Sequence, residues 1–272
     1  MVVFPNSKIN LGLYITEKRS DGFHNIETCF VPIGWNDVLE ITPADEFSFK
    51  SSGIPIPGIP EENLCVKAYE IVAEKYDIPP VRIHLHKVVP IGAGLGGGSS
   101  DASFTLTALN ELFALDLSTK ELESFAAKLG SDCPFFIQNK ICIATGRGEI
   151  LEPITVDFSG MHFIVINPGV HIGTKEAYSL VKPKIPDNPL KNSLLNSDPG
   201  SWENSVFNDF EEGIFKNHPE IENLKKLLYS KGAQYAAMSG SGSSVFGIFD
   251  SIIDTDEIAT KEFDFWTGQI QS

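Results

Sequence analysis

Long apolar runs are missing from this chain. No stretch of about 18 consecutive apolar residues occurs in its 272 residues, so no membrane span is expected. The amino-terminal MVVFPNSKIN lacks a charged segment followed by an apolar one. It does not read as a secretory leader, and a cytoplasmic location is the expectation. Positive charge is scarce: 21 Lys and Arg stand against 36 Asp and Glu, a formal net charge of −15. That balance argues against a nucleic-acid backbone or an anionic membrane as the main partner. It leaves room for an anionic small molecule, which a local cradle of backbone N–H groups can hold on an acidic protein. It favours neither a monomer nor a homodimer. Cysteine is sparse as well. Cys29, Cys65, Cys133 and Cys142 form no C-x-x-C pair, and no H-E-x-x-H pattern exists. Four reduced, mostly buried thiols are expected. His84 and His86 share one strand face, but the pattern supplies no third ligand. No metal is assigned to protein side chains.

Core-forming residues are plentiful. Hydrophobic residues make up 42% of the chain, enough for one large domain or two smaller ones. KINLGLYI alternates, with Ile9, Leu11, Leu13 and Ile15 toward a core and Lys8, Asn10, Gly12 and Tyr14 on the other face. A turn is expected around Asp21-Gly22. WNDVLEI, VRIHLHK, ICIATG and HFIVINPG read as strands. Helical spacing marks residues 62–76, the stretch DASFTLTALNELFAL, and STKELESFAAKLG with Ser118 as its cap. Residues 181–202 show no clean periodicity and read as a short helix or a surface loop. Strands and helices mix without strict βαβ alternation, so the fold class is α+β. A boundary near residue 155 divides it into stretches 1–155 and 156–272.

The stretch PIGAGLGGGSSDAS (90–103) admits three readings. As a linker it is short and leads straight into a helix, which a linker does not need. As a dinucleotide turn it has a literal match, since Gly92, Gly94 and Gly97 satisfy G-x-G-x-x-G. That chemistry requires a strand directly before the turn and an acidic residue at a strand end about 20 positions on. Here KVVP intervenes before the loop, and Asp116 falls between helical segments. The P-loop pattern fails too, because Ser99 rather than Lys follows Gly98. The phosphate cradle remains. Glycines let the backbone approach phosphate oxygens, and a helix beginning near Ser99–Asp101 adds its positive dipole end. Ser99 and Ser100 add hydroxyl donors, and Lys87 lies just upstream.

A cradle alone transfers nothing; phosphoryl transfer also needs a positioned hydroxyl and charge stabilisation. Lys8 and Asn10 project to one side of the first strand. Asp132, in LGSDCPFF, follows a Gly-Ser turn. It suits either a helix cap or a general base.

Taken together, KINLGLYITEKRSDGFHNIET (8–28), PIGAGLGGGSSDAS, GSDCPFF (130–136) and MSGSGSSVFGIF (238–249) resemble the GHMP kinase superfamily. PGVHIGTKEAY (168–178) adds to that resemblance. It implies a two-domain α+β fold: an N-terminal ATP-loop domain, a smaller C-terminal α/β domain and the site between them. It implies ATP and Mg²⁺, with a cytidine-diphosphate small molecule as acceptor, phosphorylated on the 2-hydroxyl of its methylerythritol part in non-mevalonate isoprenoid synthesis. It makes Asp132 the general base and Lys8 its cationic partner. The ATP loop becomes Pro90, Ile91, Gly92, Ala93, Gly94, Leu95, Gly96, Gly97, Gly98, Ser99 and Ser100, supported by Lys87 and Asn63. Asn10, Phe23, His24, Thr174 and Tyr178 fall to the acceptor, with Phe23, where the family often has tyrosine, and Tyr178 stacking on the base. A homoserine or mevalonate-type kinase, or a nucleotide-binding module without catalysis, are the competing readings. The DGFH segment and Tyr178 speak against the first, and Lys8 with Asp132 against the second.

Overall fold

Alternating apolar side chains near the amino terminus produce the two longest strands. The computed structural model describes residues 1–259 and 263–270. The chain opens with β1 (Val2–Val3), β2 (Asn6–Lys18), β3 (His24–Asn36), β4 (Val38–Pro43) and β5 (Ser48–Gly53). Then come α1 (Leu64–Lys75), β6 (Val81–Lys87), α2 (Gly97–Leu112), α3 (Thr119–Leu129) and α4 (Cys133–Gln138). Strands β7 (Cys142–Thr145), β8 (Ile150–Pro153) and β9 (His162–Asn167) follow. Next are α5 (Thr174–Leu180), α6 (Leu190–Leu195), α7 (Glu211–Asn217) and α8 (Pro219–Ser230). The last elements are β10 (Tyr235–Met238), β11 (Val245–Phe249), α9 (Asp256–Ala259) and β12 (Asp264–Gly268). The class is α+β, as expected. Among the described residues no helix is long and apolar enough to cross a membrane.

The elements form two compact units, each drawn from separate stretches of chain. The first holds Met1–Ser7, Trp35–Ile91 and Gly96–Lys140; the second holds Lys8–Gly34, Gly92–Leu95 and the chain from Ile141 onward. In the first, a four-stranded sheet runs β1-β4-β6-β5. Strand β6 is antiparallel to β4 and parallel to β5. Its inward residues Val81, Ile83 and Leu85 pack with Leu39 and Ile41 against Ala68 and Val72 of α1 and Leu106 and Leu109 of α2. The intervening Arg82, His84 and His86 are exposed. Helix α3 starts with the capping box its sequence announces, Ser118 and Glu121 each satisfying the other's backbone N–H.

In the second unit an antiparallel sheet runs β10-β11-β9-β12. Ile164, Ile166, Ala236 and Met238 pack against Ile214 of α7 and Ile221, Leu224 and Leu228 of α8. Strand β2 departs from simple alternation. Its apolar residues are buried, and so are Lys8, Asn10 and Tyr14 on the opposite face. A strand covered on both sides can carry polar residues only where each finds a partner.

The stretch 181–202 is not a plain surface loop. It contains α6 and runs into a 3₁₀ turn at Pro199–Asn204. Leu190, Leu194 and Trp202 are buried. The Trp202 indole meets Phe158 and Tyr235 edge-on and donates its N–H to the Ser197 carbonyl at 3.0 Å. Prolines and asparagines hide the period of so short a helix. Trp202→Ala should lower unfolding free energy by about 3–5 kcal/mol, measured by urea denaturation. A loss under about 1 kcal/mol would show that this segment contributes little to the core.

Candidate active site

Lys8 and Asn10 lie two residues apart on β2, so their side chains leave the same face. The Lys8 ammonium donates to Asn10 Oδ1 and, at 3.1 Å, to the Gly94 carbonyl. It also stands 5.0 Å from the centre of the Phe30 ring. Asn10 is fixed in turn, donating through Nδ2 to Thr28 Oγ1 at 3.0 Å. Ser239 Oγ donates to the Gly94 carbonyl at 2.8 Å and accepts from the Asn10 N–H at 3.1 Å. A buried cation is thus held at a backbone oxygen of the glycine-rich loop.

The loop is built on left-handed backbone. Gly92, Gly94 and Gly96 have φ of 65°, 77° and 70°, a region that favours glycine. At Gly94 there is a second reason: a Cβ would stand 2.0 Å from the Ser239 carbonyl oxygen. Gly240 also packs close, its Cβ position lying 3.2 Å from Gly94 Cα. The serine-glycine cluster at 238–244 therefore shapes this part of the loop. Asn208 secures that cluster by donating to the carbonyls of Met238 and Gly240, both at 2.8 Å.

Helix α2 begins at Gly97 rather than near Ser99–Asp101. Residues 97–100, counted as loop from composition, form its first turn. Left-handed Gly96 ends the loop, and its carbonyl accepts from Ser100 N–H at 3.0 Å. Gly98 has open space where a Cβ would stand. Ser100 Oγ is buried without a partner. A helix start with free N–H groups, room above a glycine and a spare buried hydroxyl fits a phosphate group.

Beneath that turn sits a charged group that composition does not reveal. Lys87 is buried, not a solvated strand end, and its ammonium lies between Asp37 and Asp101, 2.7 Å from the latter. A Cβ on Gly97 would come within 2.9 Å of that nitrogen. Asp37 Oδ1 also accepts from the N–H groups of Val88 and Val89 at 2.6 and 2.8 Å. Lys87 therefore supports the helix start from below, its charge already met by carboxylates. Burial opposes its charge, but Asp101 and Asp37 outweigh that and raise its pKa. One ammonium cannot balance two buried carboxylates. Burial, with the Asp37 charge adding to it against Lys87, pushes Asp101 up to about 7.

Asp132 occupies the N-cap position of α4, yet its side chain makes no capping bond. Asn63 does cap: its Oδ1 accepts from Cys65 N–H at 2.9 Å at the start of α1. The remaining expected residues lie in the second unit. Phe23 is 54% exposed. His24 stacks on Tyr178, ring centres 4.7 Å apart at 21°, and Tyr178 meets Phe210 edge-on. Burial, then the nearby Lys18 charge, lowers the His24 pKa. Thr174 opens α5, four residues before Tyr178, on the same helix. The geometry adds Asp37, Asp101, Thr28 and Ser239. Only Ser239 had a signal, within the second Gly/Ser cluster. Among the described residues no group of three or more His, Cys, Asp or Glu is placed to hold a metal ion.

A fold of this class, with a glycine loop opening a helix beside a buried lysine, suits nucleotide phosphates. Residues 63–140 match the family described as "GHMP kinases N terminal domain", and residues 190–261 match "GHMP kinases C terminal". A relative from Cytophaga hutchinsonii is named "4-diphosphocytidyl-2-C-methyl-D-erythritol kinase". It is 52% identical over 256 residues, covering 94% of each chain. A solved structure titled "Crystal structure of 4-(cytidine 5'-diphospho)-2C-methyl-D-erythritol kinase" is 31% identical, with full coverage of both chains and a TM-score of 0.85. The Methanococcus jannaschii mevalonate kinase superposes with a TM-score of 0.71 at 15% identity, over 100% of this chain and 98% of that one; that likeness concerns the fold alone. The chain belongs to the GHMP kinases.

The Lys87 group generates two predictions. Lys87→Met leaves two carboxylates buried without their cation and should cost about 3–5 kcal/mol of stability, read by urea denaturation. Asp101 holds its proton more firmly in the native state than in the unfolded chain. Its contribution is full below the ordinary carboxylate pKa and is lost as pH rises through about 7. Wild-type stability relative to Asp101→Asn should therefore decline between pH 4 and pH 8. A flat difference would place Asp101 as ionised throughout.

Proposed function

We propose that the chain is an ATP-dependent kinase that phosphorylates the 2-hydroxyl of 4-diphosphocytidyl-2-C-methyl-D-erythritol, in the non-mevalonate supply of isoprenoid precursors. The observation that carries the mechanism is the buried Lys8 ammonium, held by Asn10 and by the Gly94 carbonyl of the glycine loop. Asp132 is the general base, and its side chain is not spent on capping α4. The acceptor oxygen attacks the γ-phosphorus as its proton passes to Asp132. The bond to the bridging oxygen breaks, and ADP leaves with that electron pair. Lys8 balances the charge that gathers on the transferred group. The N–H groups at the start of α2, Ser99 and Ser100 bind ATP phosphates, while Lys87 and Asn63 hold the surrounding backbone in place. Mg²⁺ neutralises phosphate charge. Bound mostly through ATP phosphates and waters, it would need few protein ligands.

At the other end of the acceptor, Asn10 contacts the polyol, and Phe23, His24, Thr174 and Tyr178 bind the cytidine. Stacking of a base on an aromatic face is worth about 1–3 kcal/mol. In sequence, the N-terminal part of the kinase is taken to residue 155 and the C-terminal part from 156, a boundary between the two matched stretches, whereas each compact unit draws on separate stretches of chain. The reaction takes place in the cytoplasm, with neither nucleic acid nor membrane as partner.

Purified protein, ATP, Mg²⁺ and the cytidylylated tetritol should release ADP. Background rates with that acceptor, together with turnover of mevalonate or homoserine, would sink this assignment. Asp132→Asn should reduce kcat at least about 10²-fold while leaving ATP affinity nearly unchanged. Near-normal turnover in that variant would confine Asp132 to a structural part.

A further inference from the structure

Phe23 stands in the turn before β3 with half of its surface open, and that open ring is already partly covered. The guanidinium carbon of Arg147 lies 4.9 Å from the ring centre. Arg147 is brought there by the short link between β7 and β8, where Gly146 and Gly148 have φ of 69° and 113°. The link is tied to β3 by a 2.7 Å hydrogen bond from Ile26 N–H to the Gly146 carbonyl. A guanidinium is planar, weakly hydrated and cationic, and it packs on the same aromatic face that a nucleobase would use. Arg147 is also exposed, and its ion pair with Glu149 is long, 3.9 Å through Nε. Neither contact holds it firmly.

The other basic residues nearby are placed differently. Arg19 meets Asp21 through Nε at 3.0 Å and Nη2 at 2.9 Å, and its Nη1 donates to Asn25 Oδ1 at 3.0 Å. Its fork is occupied. Lys18 is an exposed strand end, a point charge without the paired donors that grip a phosphate. A ligand carrying a base and a diphosphate meets an acidic chain here, with Glu17, Asp21 and Glu149 close by. It needs one mobile, fork-shaped cation next to the aromatic surface.

We propose that Arg147 is a specificity-determining residue for the nucleoside diphosphate: it covers Phe23 when the base is absent and pairs with the diphosphate when the base takes the ring. This rests on the assignment of Phe23, His24 and Tyr178 to the base. The exchange conserves contacts. The ring keeps a stacked partner, and the guanidinium trades a cation–π contact and a long ion pair for charge-assisted hydrogen bonds to phosphate. A nucleoside without phosphates displaces Arg147 and returns nothing to it, so the arrangement discriminates against cytidine itself.

Calorimetric titration of cytidine and CDP tests this, with a non-hydrolysable ATP analogue filling the ATP site. Wild-type protein should bind CDP at least about tenfold more tightly than cytidine, the size of a charged hydrogen-bond contribution. Arg147→Gln should erase most of that ratio while cytidine affinity holds or improves. Arg147→Lys should restore part of it, and Lys18→Gln should leave it intact. The melting temperature of Arg147→Gln should stay at the wild-type value. An unchanged CDP-to-cytidine ratio in Arg147→Gln, or a loss confined to Lys18→Gln, would overturn the role of Arg147 while leaving the base site standing. Failure of both CDP and cytidine to bind wild-type protein would overturn both.

Discussion

The carbonyl oxygen of Gly94 accepts from Lys8 and from Ser239, while the Gly94 α-carbon sits where any side chain would strike the Ser239 carbonyl. This close packing of backbone on backbone is the constraint on which the site depends. It explains a left-handed glycine here, and it explains why a second Gly/Ser cluster, some 145 residues further along, is needed to receive it. It also explains how a lysine can be almost wholly buried in a strand. The Lys8 charge is held by a carbonyl dipole and an amide oxygen, both oriented by further hydrogen bonds.

Two buried lysines divide the work. The Lys8 ammonium donates to the neutral oxygens of Asn10 and Gly94 and stands over the Phe30 ring. Lys87 lies against two carboxylates, which answer its charge. Upstream position alone makes Lys87 look like a phosphate ligand; its surroundings make it a support for the first turn of α2. The difference is electrostatic and follows from what each ammonium touches. In the first turn above Lys87, the absence of a Cβ at Gly97 admits the ammonium, and at Gly98 it leaves the space open.

Much of the fold was legible in local pattern. The alternation in KINLGLYI and VRIHLHK marked β2 and β6, and Ser118 and Gly130 bracketed α3 at its observed ends. The glycine-rich loop and the shared face of Lys8 and Asn10 on β2 were legible because glycine spacing and strand periodicity carry a direct structural meaning. Other features had no local trace. Helix α2 begins two residues before the serines because Gly96 and Lys87 fix that turn, against the poor helix propensity of glycine. The segment 181–202 conceals a buried tryptophan, since its burial is decided by Phe158 and Tyr235 from elsewhere in the chain. Asp37 sat unremarked in WNDVLEI, as its importance comes from Lys87, fifty residues away.

Sequence by itself determined the class of fold, the glycine-rich character of residues 90–100 and the types of residue available to the candidate site. These depend on periodicity, glycine content and side-chain chemistry, all of them local properties. Tertiary structure alone decided which carboxylates meet Lys87, which serine receives Gly94 and which cation lies over Phe23. Each of these depends on groups distant in the chain meeting within a few ångströms. At that range burial and pairing, rather than residue type, set what a charge can do.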